Sequence, residues 1–156
     1  MNKRRVLFLC THNSARSQMA EGWLRHLAGD RFEAFSAGTE AAGIRPLAIR
    51  AMKEVGIDIS HQESKTLDRY LGLSFDVVVT VCDEAREACP VFPGAKNRVH
   101  WSFTDPSAAS GTEDERLAAY RAIRDGLRIR IERELVPGIQ RAISIDLGTT
   151  GFRTNV

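Results

Sequence analysis

The sequence predicts one α/β domain in which helices flank a four-stranded parallel sheet. The chain has 156 residues, which is the length of one domain and enough to bury an apolar core. Short apolar runs alternate with segments whose apolar residues recur every three or four positions, as in strands joined by helices. Residues 75–81, Phe-Asp-Val-Val-Val-Thr-Val, form the nearly continuous β-branched run that a parallel sheet buries on both faces.

The first half of the chain contains two predicted strand–helix units. Residues 6–10 are an apolar run that predicts a buried strand. Residues 17–28 predict a helix, because apolar side chains recur there at helical spacing. A second strand is predicted at residues 32–36. A second helix follows at residues 46–55, since Pro46 suits the first turn of a helix.

The second half repeats this alternation. Residues 67–71 predict a short helix, and the strand at residues 75–81 follows. Residues 83–88 begin with acidic side chains and predict another short helix. Residues 97–101 are the candidate fourth strand. Residues 112–135 predict a long amphipathic helix, because apolar positions recur every three or four residues until a Pro-Gly pair ends the pattern.

Composition narrows the classes of function. Hydrophobic residues make up 43% and charged residues 27%, with a net charge of +2, so a disordered chain is excluded and a nucleic-acid partner is not indicated. No apolar run reaches the roughly 18 residues of a membrane helix, and residues 6–10 are too short for a signal peptide. We therefore expect a cytoplasmic protein without a membrane partner. A monomer is expected as well, on no feature of the sequence.

The chain is expected to divide into a domain and a tail. The domain is predicted at residues 1–135. Residues 136–156 are predicted to be a loosely attached tail, because residues 139–156 carry little charge and no clear periodicity. Three cysteines occur without a CxxC pair, and the histidines lack ligand spacing, so no metal site is expected. Thiols are kept reduced in the cytoplasm, so these cysteines are expected to be free thiols or catalytic ones.

Residues 10–17, Cys-Thr-His-Asn-Ser-Ala-Arg-Ser, join the first predicted strand to the first helix and are called the anion loop below. Ligands of α/β proteins bind at such strand ends, and a helix N-terminus adds free N–H groups and positive partial charge. The loop can wrap its N–H groups around one tetrahedral oxyanion while Arg16 binds two oxygens. The same field favours the thiolate of Cys10, to which Ser17 can donate a hydrogen bond. The predicted oxyanion-binding residues are Thr11, His12, Asn13, Ser14, Ala15, Arg16 and Ser17.

The anion loop resembles the CX5RS phosphate loop of low-molecular-weight protein tyrosine phosphatases. The chain is more similar still to the thioredoxin-coupled arsenate reductases, which share that fold. The resemblance extends over residues 4–135 and includes SQMAEGW (17–23), FSAGTE (35–40), AMKEVGIDIS (51–60), VVTVCDEA (78–85), CPVFP (89–93) and WSFTDP (101–106). It implies a low-molecular-weight phosphatase-like fold and reduction of arsenate to arsenite in arsenical resistance.

The resemblance also implies a set of catalytic residues. Besides Cys10 and Arg16, it assigns Asp105 as the general acid that protonates the departing oxygen. Cys82 and Cys89 match the redox pair of the arsenate reductases. The implied relay passes from Cys10 to Cys82 and leaves a Cys82–Cys89 disulfide, which reduced thioredoxin resolves by exchange. The implied ligands are arsenate and, more weakly, phosphate or sulfate. No bound metal or organic cofactor is implied, since thioredoxin donates the electrons.

The resemblance implies four residues that brace the anion loop, one of which, Asn13, belongs to the loop itself. Some family members bind a potassium ion beside this loop through groups that match Asn13, Glu21 and Ser36, together with an aspartate. Lys65 stands at the position of that aspartate in this chain. Its ammonium is expected to take the place of the ion, and the alternative is an exposed lysine without that role.

Three functions remain open at this point. The first is a thioredoxin-dependent arsenate reductase, for which a glutaredoxin-type reductant is the alternative electron donor. The second is a low-molecular-weight protein tyrosine phosphatase, which needs neither Cys82 nor Cys89. In such phosphatases a tyrosine commonly follows the Asp-Pro pair, and Ser107 stands there in this chain, which favours the reductase. The third is a non-enzymatic oxyanion-binding or redox-sensing module that signals through the cysteine pair.

Overall fold

A single parallel sheet forms the centre of the computed structural model, which describes residues 3–83, 86 and 90–136. Its strands are β1 (Arg4–Cys10), β2 (Phe32–Gly38), β3 (Phe75–Thr80) and β4 (Ala95–His100). They lie in the order β2-β1-β3-β4, all parallel, so β1 is a central strand with a neighbour on each side. The predicted α/β class and four-stranded parallel sheet are confirmed.

Three α-helices follow the predicted order: α1 (Arg16–Ala28), α2 (Pro46–Lys53) and α3 (Glu113–Arg130). Short 3-10 helices occupy Leu67–Tyr70 and Pro106–Ala108. The pattern at residues 112–135 predicted one long amphipathic helix, and a π-helical turn takes the place of its last α-helical residues at Ile131–Leu135. A capping box at the start of α3 fixes its first turn, with Thr112 and Glu115 each bonding the other's backbone N–H.

The remaining differences lie at the ends of elements. The fourth strand begins two residues earlier than predicted and ends at His100, so Trp101 is a fully buried core residue beyond it. Asp83 is not helical and Arg86 lies in a turn. The other four residues of the helix predicted at 83–88, and residues 137–156 of the predicted tail, lie outside the described residues.

Side chains of β1 alternate between two apolar cores. Val6, Phe8 and Cys10 face the larger core, which α1, α2 and α3 cover. Leu7 and Leu9 face a smaller core on the other side of the sheet, which contains Tyr70, Phe75 and Phe92. The five side chains of residues 6–10 are all buried, as the continuous apolar run predicts. The alternation places the Cys10 thiol on the helix-covered face, beneath the N-terminus of α1. Within the described part of the chain, none of the helices combines the length and apolar character needed to cross a membrane.

Candidate active site

The anion loop turns its carbonyl groups outward. Three of these carbonyls accept hydrogen bonds from backbone N–H groups of the segment that follows β2: Thr11 from Glu40 (3.0 Å), His12 from Ala42 (3.1 Å) and Ser14 from Arg45 (2.9 Å). The carbonyl of Asn13 accepts from the Ser64 hydroxyl at 2.9 Å. Because the C=O and N–H of one trans peptide point in opposite directions, the N–H groups of residues 12–15 face the inside of the loop. This orientation suits a tetrahedral oxyanion.

Asn13 is the internal brace of the loop. It is fully buried and adopts a left-handed backbone (φ 49°), which asparagine tolerates better than most residues. Its amide nitrogen donates to the hydroxyls of Ser17 (2.8 Å) and Ser36 (3.0 Å). Its amide oxygen accepts from the backbone N–H of Lys65 (2.7 Å) and the side chain of Gln18 (2.8 Å). All four hydrogen-bonding positions of the side chain are therefore used, which fixes the strained turn.

The thiol of Cys10 lies at the base of the loop, 1% exposed and 2.8 Å from the hydroxyl of Ser17. Since Asn13 donates to that hydroxyl oxygen, the hydroxyl hydrogen of Ser17 is available for the sulfur. With Cys10 ionised, Ser17 donates to the thiolate. The site therefore stabilises the nucleophilic form of the thiol through a hydrogen bond as well as through the N-terminus of α1.

Asn13 is hydrogen-bonded to Ser36, which belongs to a buried cluster with the charged side chains of Glu21 and Lys65. The Ser36 hydroxyl donates to Glu21 Oε1 (2.5 Å), and the Lys65 ammonium lies 3.7 Å from the same oxygen and 3.4 Å from the Ser36 hydroxyl. Lys65 also donates to the Glu63 carbonyl at 2.5 Å. Burial lowers the pKa of Lys65, while the carboxylates of Glu21 and Glu63 oppose that shift. The structure thus brings Asn13 and the other three predicted bracing residues together.

The hydrogen bonds of this cluster have a fixed direction. A carboxylate only accepts, so Ser36 must donate to Glu21 and accept from Asn13. The second amide hydrogen of Asn13 then goes to Ser17. A continuous path of hydrogen bonds therefore links the buried carboxylate to the hydroxyl beside Cys10.

The electrostatic role of Lys65 can be measured without a substrate. We expect equal free energies of unfolding and equal phosphate affinities in KCl and NaCl, because the ammonium already supplies the positive charge beside Glu21. Lys65→Met should cost about 3 kcal/mol of stability, as removing one partner of a buried ion pair does. Lys65→Asp should create a potassium dependence in both measurements. The exposed Lys53→Met is the control and should change stability by less than about 0.5 kcal/mol. A clear potassium response of the unmodified protein would contradict this role.

Arg16 and Asp105 face each other across the loop. The Arg16 guanidinium is 2% exposed and donates to the Phe103 carbonyl at 3.1 Å. Its other terminal nitrogen lies 3.9 Å from Asp105 Oδ2, and the Asp105 side chain is 28% exposed. Arg16 thus links the anion loop to the 103–105 segment. A cleft of about 270 Å³ opens at this point and is lined by Thr11, His12, Asp83, Arg86, Thr104, Asp105 and Ala108.

His12 lies at the rim of this cleft rather than inside the loop. Its ring is 36% exposed and stands 4.0 Å from the Glu40 carboxylate. Its contribution to an anion is therefore its backbone N–H. The described lining of the cleft includes no phenyl, phenol or indole ring that could stack against an aryl substrate.

Gly38 is a site residue that sequence reasoning missed, as are Gln18 and Ser64, which donate hydrogen bonds to Asn13. It pairs with Cys10 at the end of β2, and a Cβ there would lie 2.7 Å from the Thr11 carbonyl and 2.8 Å from both the Asn13 nitrogen and the Cys10 carbonyl. All three are backbone atoms of the anion loop, so no side chain can be accommodated. A glycine at the carboxyl end of the strand predicted after the loop was the available signal.

Gly38→Ala should therefore deform the loop. We expect a loss of about 2 kcal/mol of stability, typical of overpacking, together with a clear loss of phosphate affinity. Chemical denaturation and isothermal titration with phosphate measure the two effects. Gly72→Ala is the matched control: Gly72 has φ 91° with open space around it, so it should lose about 1 kcal/mol through backbone strain alone and keep its phosphate affinity. Unchanged phosphate binding in Gly38→Ala would contradict the close-approach argument.

Cys10 and Cys82 lie at the same end of the sheet, where β1 and β3 end. β1 and β3 stay paired to their ends, since the Val81 N–H donates to the Leu9 carbonyl at 2.8 Å. Cys10 is the last residue of β1, and Cys82 comes shortly after the last residue of β3. The two cysteines therefore lie at the ends of neighbouring strands, and such strands are about 4.8 Å apart. Cys10 is a free thiol, whereas Cys82 is disulfide-bonded. Cys89 lies outside the described residues, as does any site that includes it. Among the described residues no cluster of three or more His, Cys, Asp or Glu side chains could hold a metal ion.

Comparison with known proteins agrees with this geometry. The low molecular weight phosphotyrosine protein phosphatase family matches residues 5–140. The arsenate reductase of Halalkalibacterium halodurans is 52% identical over 132 residues, which cover 85% of this chain and 95% of that protein. A solved structure of an arsenate reductase in the phosphate-binding state superposes with a TM-score of 0.72 at 33% identity, covering 83% of this chain and 95% of the other. A thioredoxin-dependent arsenate reductase of Corynebacterium glutamicum superposes with a TM-score of 0.65 at 32% identity, covering 90% and 63% of the two chains. The chain therefore belongs to the low molecular weight phosphotyrosine protein phosphatase family.

Proposed function

We propose that this protein reduces arsenate to arsenite, with Cys10 as the nucleophile and thiols as the source of electrons. The observation that carries the proposal is a second cysteine beside the nucleophile. Cys82 follows β3 at the end of the sheet where Cys10 ends β1, and it is disulfide-bonded. Phosphoester hydrolysis with the same loop does not require a second cysteine, whereas a reductase needs one that can cycle between thiol and disulfide. The similarity to named arsenate reductases supports the same conclusion.

In the proposed first step, the Cys10 thiolate attacks the arsenic of hydrogen arsenate. Loop N–H groups and Arg16 hold the oxyanion, and Asp105 gives its proton to the departing hydroxyl, which leaves as water. A sulfur–arsenic bond forms, an arsenic–oxygen bond breaks and Asp105 becomes a carboxylate. The step conserves charge and involves no electron transfer.

The second step of the proposal carries the reduction. This step starts from the reduced protein, in which thioredoxin has already opened the Cys82 disulfide. The Cys82 thiolate attacks the Cys10 sulfur, and the sulfur–arsenic bond breaks with its electron pair on arsenic. Arsenic goes from the +5 to the +3 state and leaves as arsenite, which takes protons from water. The two sulfurs lose two electrons and become a Cys10–Cys82 disulfide. Cys89 then attacks Cys82, which frees the Cys10 thiolate and leaves a Cys82–Cys89 disulfide.

The proposed electron donor is reduced thioredoxin, which exchanges its dithiol for that disulfide. A related solved structure is of a thioredoxin-dependent enzyme, which supports this choice over a glutaredoxin-type donor. Every electron in the scheme comes from a thiol, so the scheme needs no bound metal or organic cofactor. The cytoplasm, where thiols are kept reduced, is the compartment in which such a relay can run.

The alternative is phosphomonoester hydrolysis, which the same Cys10, Arg16 and Asp105 could perform and which the family match favours. One assay separates the two functions. NADPH consumption is followed with thioredoxin, thioredoxin reductase and the protein, with and without arsenate, beside hydrolysis of p-nitrophenyl phosphate. We expect arsenate-dependent consumption and weak hydrolysis, since phosphate is a tetrahedral anion of similar size. Hydrolysis far faster than arsenate reduction would favour the phosphatase, and no arsenate-dependent consumption with either a thioredoxin or a glutaredoxin system would overturn the proposal.

A further inference from the structure

The two oxygens of the Asp105 carboxyl group have different surroundings. Oδ1 accepts two hydrogen bonds from one residue, the backbone N–H of Ser107 at 2.9 Å and the Ser107 hydroxyl at 2.7 Å. Oδ2 faces the Arg16 guanidinium at 3.9 Å. The carboxyl group is therefore held with Oδ1 toward its own turn and Oδ2 toward the anion loop.

This asymmetry decides where a proton can reside. A protonated carboxyl group has one carbonyl oxygen, which accepts two hydrogen bonds well, and one hydroxyl oxygen, which accepts poorly. A backbone N–H only donates, so Oδ1 must serve as the acceptor. The Ser107 hydroxyl reinforces the same choice by donating to the same oxygen. In the acid form of Asp105 the hydrogen is then on Oδ2.

We propose that Ser107 is a positioning residue for Asp105, which keeps the transferable proton on the oxygen that faces Arg16 and the anion loop. The inference rests on the proposed function, in which Asp105 protonates the departing oxygen. When the Oδ2–H bond breaks, its proton goes to that oxygen and the negative charge of the new carboxylate is shared with Oδ1. Both Ser107 donors stabilise that charge.

Local backbone bonds already hold the turn without the Ser107 side chain. The N–H groups of Ala108 and Ala109 donate to the carbonyls of Asp105 (3.1 Å) and Pro106 (3.2 Å). A purely structural role for the hydroxyl would therefore be small. Its loss should change the carboxyl group rather than the turn.

Other charged or titratable groups face Asp105, and the variants used in the test leave all of them unchanged. Arg16 approaches from α1, and Tyr120 on α3 has a pKa that burial raises, with the Asp105 charge adding to the shift. His12, Asp83 and Arg86 line the same cleft. Since none of these is altered, a difference among Ser107 variants reports on the hydroxyl alone.

The test compares Ser107→Ala with Ser107→Thr, which keeps both donors, and with Ser110→Ala, which removes an exposed hydroxyl nearby. The first readout is the ¹³C titration of the Asp105 carboxyl, assigned through Asp105→Asn. The second is the pH profile of single-turnover arsenite formation, which does not depend on thioredoxin. In Ser107→Ala the Asp105 titration and the alkaline limb of the profile should both move to higher pH than in the unmodified protein, because the ionised form loses a donor. The rate should fall about three- to tenfold at an unchanged half-saturating arsenate concentration. Ser107→Thr and Ser110→Ala should match the unmodified protein.

The outcomes separate this inference from the proposed function. An enzyme that reduces arsenate, with the same Asp105 titration and rate in Ser107→Ala, overturns the role of Ser107. So does an equal loss of rate in Ser107→Ala and Ser107→Thr. If the unmodified protein never forms arsenite, the proposed function is overturned. A shift of the Asp105 titration in Ser107→Ala would then still show that the Ser107 hydroxyl sets the protonation of the carboxyl group.

Discussion

Replacing Cys10 with serine should reduce arsenate-dependent turnover to background. A serine hydroxyl is not ionised at neutral pH, and loss of a catalytic nucleophile costs on the order of 10⁴-fold or more in rate. Serine also cannot form the disulfide through which the arsenic receives its electrons, so no slower route remains at this site. NADPH consumption with thioredoxin, thioredoxin reductase and arsenate measures the loss.

The fold and the oxyanion site should survive this substitution. Serine is slightly smaller than cysteine, and its hydroxyl can keep a hydrogen bond with Ser17, which lies 2.8 Å from the Cys10 sulfur. Phosphate affinity by isothermal titration and the thermal midpoint should therefore stay close to those of the unmodified protein. That pair of controls separates loss of chemistry from loss of structure. Arsenate-dependent turnover in Cys10→Ser would show that another residue is the nucleophile.

The activated state of Cys10 has a direct readout as well. In the reduced protein, iodoacetamide should modify Cys10 in preference to other thiols, because the thiolate is the reactive form and Ser17 can donate a hydrogen bond to it. Saturating phosphate should protect it, since the anion covers the loop. Slow, unselective alkylation in an active enzyme would contradict the thiolate interpretation.

Some parts of this site could be predicted because their signal is local in sequence. Cys10 and Arg16 are six residues apart at a strand–helix junction, and the apolar run before them is enough to place that junction. The helix N-terminus and the loop length then define an oxyanion site from general chemistry. The same reasoning located all four strands to within two residues at either end.

Other parts depend on contacts that no local pattern contains. The role of Gly38 follows from its pairing with Cys10 across two strands, and the sheet order is not written in the periodicity of any one strand. Asp105 lies far along the chain from Arg16, so an isolated Asp-Pro pair predicts only a turn. Its assignment came from resemblance. The π-helical turn after Arg130 was not predicted either. Apolar residues that recur every three to four positions are equally consistent with a continuing α-helix.

Replacing Cys82 with serine and replacing Cys89 with serine should stop the reaction at different steps. In Cys82→Ser the adduct between Cys10 and arsenic can form. No neighbouring thiolate can then attack the Cys10 sulfur and release the arsenic, so almost no arsenite should appear. In Cys89→Ser one relay step remains, and each molecule should release a single equivalent of arsenite before it stops with a Cys10–Cys82 disulfide. The unmodified protein should release one equivalent without thioredoxin and many equivalents with it. Rapid mixing with arsenate, followed by arsenite determination with and without thioredoxin, distinguishes the three cases.

Hydrolysis of p-nitrophenyl phosphate is the control for this series, because phosphoester cleavage uses Cys10, Arg16 and Asp105 and neither of the other thiols. It should be retained in both serine variants and lost in Cys10→Ser. If Cys82→Ser and Cys89→Ser both kept multiple-turnover arsenate reduction, the electrons would leave the site by another route and the relay would be wrong. If both kept hydrolysis at a rate far above any arsenate reduction by the unmodified protein, Cys82 would be a buried structural residue at a strand end. The stoichiometry of arsenite therefore separates a reductase from a phosphatase built on the same loop, since only a reductase must pass an electron pair from one sulfur to the next.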